Sequence, residues 1–237
     1  MRLGIGHGTS VYYSDAGGGD FAPSGLSGLQ LWLDGADEAT KTLNGANVSA
    51  WADKSGNGRN ATQATPANQP TNVSGGAPSA GVSGVAATNK FMTLTSLSLG
   101  TAATIAVVCT AQVTAAGYVW SNGVGSNGLL SNHVATGDLE WYNTPDRQKY
   151  ADDPVTNNRY RTVTTQANGV SLVGRSNGAQ VFSVVPAVAL SSIATIGAAT
   201  TGPASPYRGV IHEIIIYNRV LSAGEITQLE TYLARWA

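Results

Sequence analysis

Residues Tyr207–Trp236 read YRGVIHEIIIYNRVLSAGEITQLETYLARW, and this stretch decides the fold. In Val210–Tyr217 both alternating sets are largely apolar, with Val210, Ile214 and Ile216 on one side and Ile211, Ile215 and Tyr217 on the other. A strand with one wet face alternates apolar with polar, so this strand is expected to be covered on both. The turn Asn218–Val220 follows, and then a helix start signed twice. Ser222 with Glu225 three residues on makes a capping box, and Leu221 with Ile226 makes a hydrophobic staple. Such a cap is worth about 1 kcal/mol. Ile226, Leu229, Leu233 and Trp236 then recur at helical spacing, an apolar stripe that has to pack onto the strand it follows.

Working outward, the whole chain has 237 residues, enough for one domain with a core of its own. Its 13 Lys and Arg nearly balance 14 Asp and Glu, and charged residues make up only 11%. No excess of either sign draws it to nucleic acid or to acidic membranes. The one cysteine, Cys109, sits in the apolar run TIAVVCTAQV and reads as a small buried thiol, with no intrachain disulfide possible. No stretch reaches the roughly 20 apolar residues of a membrane-spanning helix. The opening MRLGIGHGTSVYYSDAGGG lacks a continuous apolar segment, so export by a secretory signal is not expected. Release by lysis, as for a virus particle, is the alternative route.

Residues 1–27 form the first unit, rich in glycine at Gly4, Gly6, Gly8 and Gly17–Gly19. Such a terminus has little to bury and is ordered only when something holds it. It reads either as a loose leader or as an arm gripped by a partner chain. Residues 28–237 form the second unit. Short strand-like runs follow one another there: Leu29–Leu33, Val48–Ala52, Ile105–Val113, Tyr118–Trp120, Leu129–Val134, Leu139–Tyr142, Tyr160–Thr165, Val170–Val173, Gln180–Val184 and Ile193–Ile196. Arg175–Gly178 is the turn of an expected hairpin, and ATQATPANQPTNVSGGAPSAGVSG, from Ala61, reads as an extended loop. Many short strands with helix only at the end argue for an all-β sandwich.

At this point three segments resemble the LamG-like, concanavalin A-like jelly rolls. Trp32–Thr71 carries a WLD strand and the turn W-x-D-x-S-G-N-G, TIAVVCTA resembles their next core strand, and the closing stretch resembles their G-x-I-x-E strand, YNRxLS turn and short helix. Gly81–Leu94 lacks the acids of the R-F-D-G-x-D-D-x-L strand usual in those domains. The resemblance implies an all-β, concanavalin A-like jelly-roll sandwich of two antiparallel sheets, with a short C-terminal helix and an extended N-terminal arm. Domains of this kind are common in bacteriophage tail and capsid proteins and often carry a carbohydrate- or protein-binding surface.

The chemistry-bearing residues point to binding rather than catalysis. Asp53-x-Ser55-x-Asn57-Gly58 imitates half of a calcium loop, but its twelfth position is Ala64 in place of a bidentate Glu, so it reads as a turn and no metal is expected. A glycosidase needs paired carboxylates, and the only strand-like pair is Asp138-x-Glu140. Three histidines (His7, His133, His212) stand without a nucleophile elbow, and no phosphate loop or other cofactor motif appears. By contrast, Trp141, Tyr142, Asn143, Asp146, Arg147 and Tyr150 fall within ten residues, with Trp120 and Asn122 on a neighbouring strand. Aromatic faces beside amide, carboxylate and guanidinium groups suit a sugar. The competing reading is that Trp120 and Trp141 fill the sandwich. The expectation is a non-enzymatic virion protein, present in many copies or as a homo-oligomer, bound to other virion proteins through residues 1–27 and to a host surface glycan. A purely structural decoration or tail component, and a glycoside hydrolase, are the alternatives.

Overall fold

A computed structural model describes residues 21–77, 79–83, 89–110, 116–124, 127–131, 139–143, 146–151, 159–167, 170–186, 192–200 and 204–237, with the side chains of 130, 131, 143, 146 and 151 outside the description. Antiparallel strands dominate, wrapped into two layers around one core, with a single short α-helix at the C-terminal end. The jelly-roll sandwich expected from the closing stretch is the observed architecture.

The first layer is built on β17 (Val210–Tyr217) and β8 (Ala102–Thr110). On the far side of β8 come β13 (Arg159–Ala167), β14 (Ser171–Ser176) and β15 (Ala179–Val184). On the far side of β17 lie β1 (Leu29–Asp34) and β6 (Gly81–Ser83). Both faces of this layer are dry, as the double apolar pattern requires. Ile105, Val107, Cys109, Ile214 and Ile216 point into the sandwich, whereas Ala106, Val108, Ile215 and Tyr217 point outward under α1 (Ala223–Leu233). Burial pushes the Cys109 thiol up to about 12, so it remains protonated and inert.

One detail of β17 departs from simple alternation. Ile211 pairs with Cys109 but Glu213 pairs with Val108, so His212 is the extra residue of a β-bulge. The bulge resets the phase, and Ile211 joins Ile214 and Ile216 in the core instead of Ile215 and Tyr217 on the outside.

The second layer runs β2 (Lys41–Asn44), β3 (Asn47–Trp51), β4 (Ala61–Thr62), β7 (Met92–Ser98), β16 (Ser192–Ile196), β9 (Gly117–Ser121), β10 (Asn127–Ser131), β11 (Leu139–Asn143) and β12 (Asp146–Ala151). The segment read as one long loop from Ala61 contains β4, β5 (Thr71–Val73) and β6, and β5 links β3 to β6. Residues Asp146–Ala151, which fall outside the strand-like runs of the sequence, form the return strand of a hairpin with β11. These strands are too short, or too polar on their outer side, to show a two-residue period.

The turn Asp53–Arg59 closes the free edge of β1. Asp53 accepts from the backbone N–H of Trp32 (3.0 Å), Ser55 (2.8 Å) and Arg59 (3.0 Å), while Ser55, Asn57 and Arg59 donate to the carbonyl of Gln30. The Asp53 carboxylate is thus occupied by donors of its own chain, and the turn serves as an edge cover.

The C-terminal module forms as its signals predict. Ser222 Oγ accepts from Glu225 N–H (3.4 Å), and the Glu225 carboxylate accepts from Ser222 N–H (2.8 Å). Leu229, Leu233 and Trp236 are buried against the first layer, with Ile226 partly covered. Of the expected arm, residues 1–20 lie outside the described residues. Phe21 packs edge-on against Tyr232 with ring centroids 5.9 Å apart, Tyr217 donates to Pro23 O (3.0 Å) and Arg219 to Ser27 O (3.0 Å). The boundary drawn at Ser27 therefore falls within a segment bonded to the body.

Candidate functional site

Hydrogen-bonded register sorts the second layer into an inner and an outer row. Residues Trp141, Leu129, Trp120, Ile196 and Met92 are cross-strand partners in sequence, and all are buried in the sandwich. The neighbouring row is Arg147, Tyr142, Gly128, Ser121, Thr195, Thr93 and Thr62, which faces outward. A bulge in β9 between the partners of Leu129 and Leu130 puts Tyr118 on the outer face although it stands two residues from Trp120.

This sorting divides the candidate sugar site. Trp120, Trp141 and Tyr150 are at most 2% exposed and belong to the core, where Trp120 and Trp141 meet edge-to-face at 5.7 Å and Tyr150 bonds Thr164. Their rings cannot face a ligand in solvent, so the interior-filling reading of the two tryptophans is the correct one. The indole N–H groups of both have no acceptor among the described residues. Tyr142 and Arg147 stand on the outer face, and Asn122 is half-buried on the loop after β9. The side chains of Asn143 and Asp146 lie outside the described residues, as do His7, His133, Asp138, Asp152 and Asp153.

On the outer face Tyr118 and Tyr142 form an edge-to-face pair with centroids 6.2 Å apart, packed with Ala199. The Arg147 guanidinium lies over the Tyr142 ring at 5.1 Å. Such a cation–π contact is worth about 0.5–1 kcal/mol at an exposed site and holds the long side chain in place. Gly128 makes the shelf possible. A Cβ there would stand 2.6 Å from Tyr118 Cδ1 and 2.3 Å from Trp120 O, so only glycine lets the Tyr118 ring lie across β10. Tyr118 itself is only 6% exposed, and burial pushes its hydroxyl up to about 12, so it stays protonated.

A wall bounds the shelf. Ser121 donates to Ala199 O (2.6 Å) and Thr195 to Ala198 O (3.0 Å), so the chain after β16 folds over the middle of the outer row. Val124 bridges to Thr200 at its lip and is 72% exposed. Beside the pair, Glu140 lies opposite Lys149 in register, with Glu140 buried and Lys149 exposed. The sequence alone shows the aromatic residues of this shelf. The glycine, the wall and the change of phase in β9 depend on strand pairing and were not legible in it.

Glu213 and His212 are structural in placement. Glu213, wholly buried, accepts from Trp32, Tyr232, Arg235 and Trp236. His212 is held between Ala80 O (2.6 Å) and the Thr110 hydroxyl (2.7 Å). Among the described residues no group of three or more His, Cys, Asp or Glu is placed to hold a metal ion.

No family model matches the chain, and no curated protein matches it. Solved structures do. The Trypanosoma rangeli sialidase in complex with sialic acid superposes with a TM-score of 0.58 at 16% identity, covering 88% of this chain and 33% of the sialidase. The binding domain of Paraclostridial Mosquitocidal Protein 1 gives a TM-score of 0.61 at 12% identity, covering 90% of this chain and 53% of that one. Botulinum neurotoxin type C, whose cell entry is dependent upon interaction with two ganglioside molecules, gives 0.54 at 13% identity, with 87% and 51% covered. The likeness is one of fold. The chain spans about a third of the sialidase and about half of each toxin chain.

Proposed function

We propose that this domain is a non-enzymatic carbohydrate-binding module whose ligand lies on the shelf made by Tyr118, Tyr142 and Arg147. The observation that carries the reading is Tyr142 on the outer face, edge-on to the largely buried Tyr118, with the Arg147 guanidinium over its ring. An aromatic face beside a planar guanidinium suits the apolar C–H face and the oxygens of a sugar. The fold neighbours support it, since one of them is a toxin whose entry depends on gangliosides and another is named as a binding domain. Fold alone does not assign a ligand, so the shelf bears the argument.

A shallow shelf of this kind suits weak binding. Millimolar affinity corresponds to about 4 kcal/mol, and arraying copies raises avidity by roughly 10²–10⁴. The finer part of the proposal is that the array is a virus particle, with residues 1–27 bound to other virion proteins. The resemblance of Trp32–Thr71 and of the closing module is to LamG-like jelly rolls, domains common in bacteriophage tail and capsid proteins, which suits that setting. A glycan array probed with the multimerised protein tests the module. Binding should appear with the native chain, fall by at least about tenfold in Tyr142→Ala, and survive in Trp141→Phe. Equal binding by native protein and Tyr142→Ala would overturn it.

A further inference from the structure

A second concavity lies on the other side of the molecule, where the β14–β15 hairpin approaches the C-terminal half of α1. The hairpin turn is Asn177–Gly178, with φ of 49° and 85°, the two-residue geometry that fits the twist of paired strands. This turn is bonded to β13. Asn177 N–H donates to Arg161 O (2.9 Å), and Arg161 N–H donates to Asn177 Oδ1 (3.2 Å). Together with α1 it encloses a cleft of about 270 Å³ lined by Arg161, Asn177, Thr227, Glu230, Thr231 and Leu233. That is just under the roughly 300 Å³ of the smallest ligand pockets.

The groups around the cleft are unevenly occupied. Glu230 is held in a fork by Arg175, with Nε–Oε1 2.6 Å and Nη2–Oε2 3.1 Å. The half-buried Arg161 side chain makes no ion pair or hydrogen bond with a described residue, although its backbone is fixed on both sides. Among the described residues the cleft therefore carries one guanidinium without a counter-ion, whose planar donor fork matches a carboxylate. The two threonines have spent their protons. Thr227 Oγ1 donates to Ala223 O (3.0 Å) and Thr231 Oγ1 to Thr227 O (2.8 Å), so toward a ligand both oxygens only accept. Glu230 is likewise an acceptor. A partner for this set has one anionic group for Arg161, several hydroxyl donors for Thr227, Thr231 and Glu230, and a small apolar face for the exposed Ala234 at the cleft's edge.

We infer that this cleft is a second binding site, distinct from the tyrosine shelf, for a carboxylated sugar of the uronic-acid class. Inorganic phosphate matches the cation but offers no array of hydroxyl donors for the threonine oxygens. A neutral sugar matches the acceptors but leaves Arg161 without a counter-ion. The site takes one ring, either a free monosaccharide or the end of an acidic polysaccharide.

The test is an amide NMR titration of the full chain with methyl β-D-glucuronide, methyl β-D-glucoside and inorganic phosphate. The glucuronide should shift the amides of Thr227, Thr231 and Gly178. Its Kd should rise by at least about tenfold in Arg161→Gln, since a hydrogen bond to a charged group is at stake, and should be partly retained in Arg161→Lys. Tyr142→Ala should leave it unchanged, which separates failure here from failure of the tyrosine shelf. No shift at the cleft, an equal Kd in Arg161→Gln, a loss in Tyr142→Ala, or phosphate binding as tightly as the glucuronide would each overturn the assignment.

Discussion

The Trp32 indole N–H donates to the buried carboxylate of Glu213 at 2.8 Å, across 181 residues of sequence. The first strand of the sandwich is thereby bonded to the last. Around that contact, Asp34 stands opposite Glu213 in register, and one Arg235 nitrogen reaches both, at 2.9 and 2.8 Å. Lys54 completes the group, pairing with Asp34 at 3.0 Å and lying over the Trp32 ring at 4.4 Å.

Arg235→Met should cost about 3–5 kcal/mol, because it leaves the buried Glu213 carboxyl, whose pKa burial already raises, without the cation that bridges it to Asp34. Urea unfolding measures the loss. Adding Glu213→Gln to the same chain should recover part of it, and a double mutant no more stable than Arg235→Met would refute the network as described.

His212 sets a pH dependence. Burial, with Arg159 nearby as a smaller cause, lowers its pKa from 6.5 to about 4, against a raising contribution from Ala80 O. The folded chain holds it neutral while the unfolded chain protonates it below 6.5. Its contribution to stability is therefore whole above pH 6.5 and is lost as pH falls toward 4, to a total of about 3 kcal/mol. The native chain and His212→Gln, unfolded side by side in urea from pH 7.5 to 4, should converge in stability as pH drops. Parallel curves would show that His212 does not titrate this way.

Neighbouring aromatic residues on β11 should respond oppositely. Trp141→Ala opens a cavity in the core at a cost of about 3–5 kcal/mol, whereas Tyr142→Ala should cost little stability and abolish glycan binding. Trp141→Phe should cost much less than the alanine change, because the indole N–H it removes has no acceptor among the described residues. Thermal melts together with the glycan array distinguish the two residues.

Gly128→Ala probes the shelf through its support. The added methyl meets Tyr118 and the Trp120 carbonyl, so the tyrosine ring has to move, with a destabilisation of about 1–3 kcal/mol and weaker glycan binding. Unchanged binding and stability would mean that Tyr118 does not rest on β10.

Much of the fold was legible because it is written in local rules. The capping box at Ser222 and Glu225 and the apolar stripe from Ile226 to Trp236 each depend on residues a few positions apart, and each formed as read. What escaped was set by partners far along the chain. The bulge at His212 exists through pairing of β17 with β8, and it reversed the side of Ile211. The bulge in β9 likewise put Tyr118 outward and Trp120 inward, against a plain two-residue period. The cluster from Trp141 to Tyr150 was visible as composition, but which ring faces solvent depended on strand phase that composition does not carry. Arg161, Asn177 and Thr231 come from three separate elements and form a cleft only once α1 lies on the first layer.

The resting place of Phe21 on Tyr232 has a consequence for presentation. Helix α1 covers the outside of one layer, and the tyrosine shelf occupies the outside of the other. A tether leading into Phe21 would therefore hold the body from behind, like a stalk behind a flower head. Whatever scaffold such a stalk grew from, the shelf would look away from it toward an approaching surface.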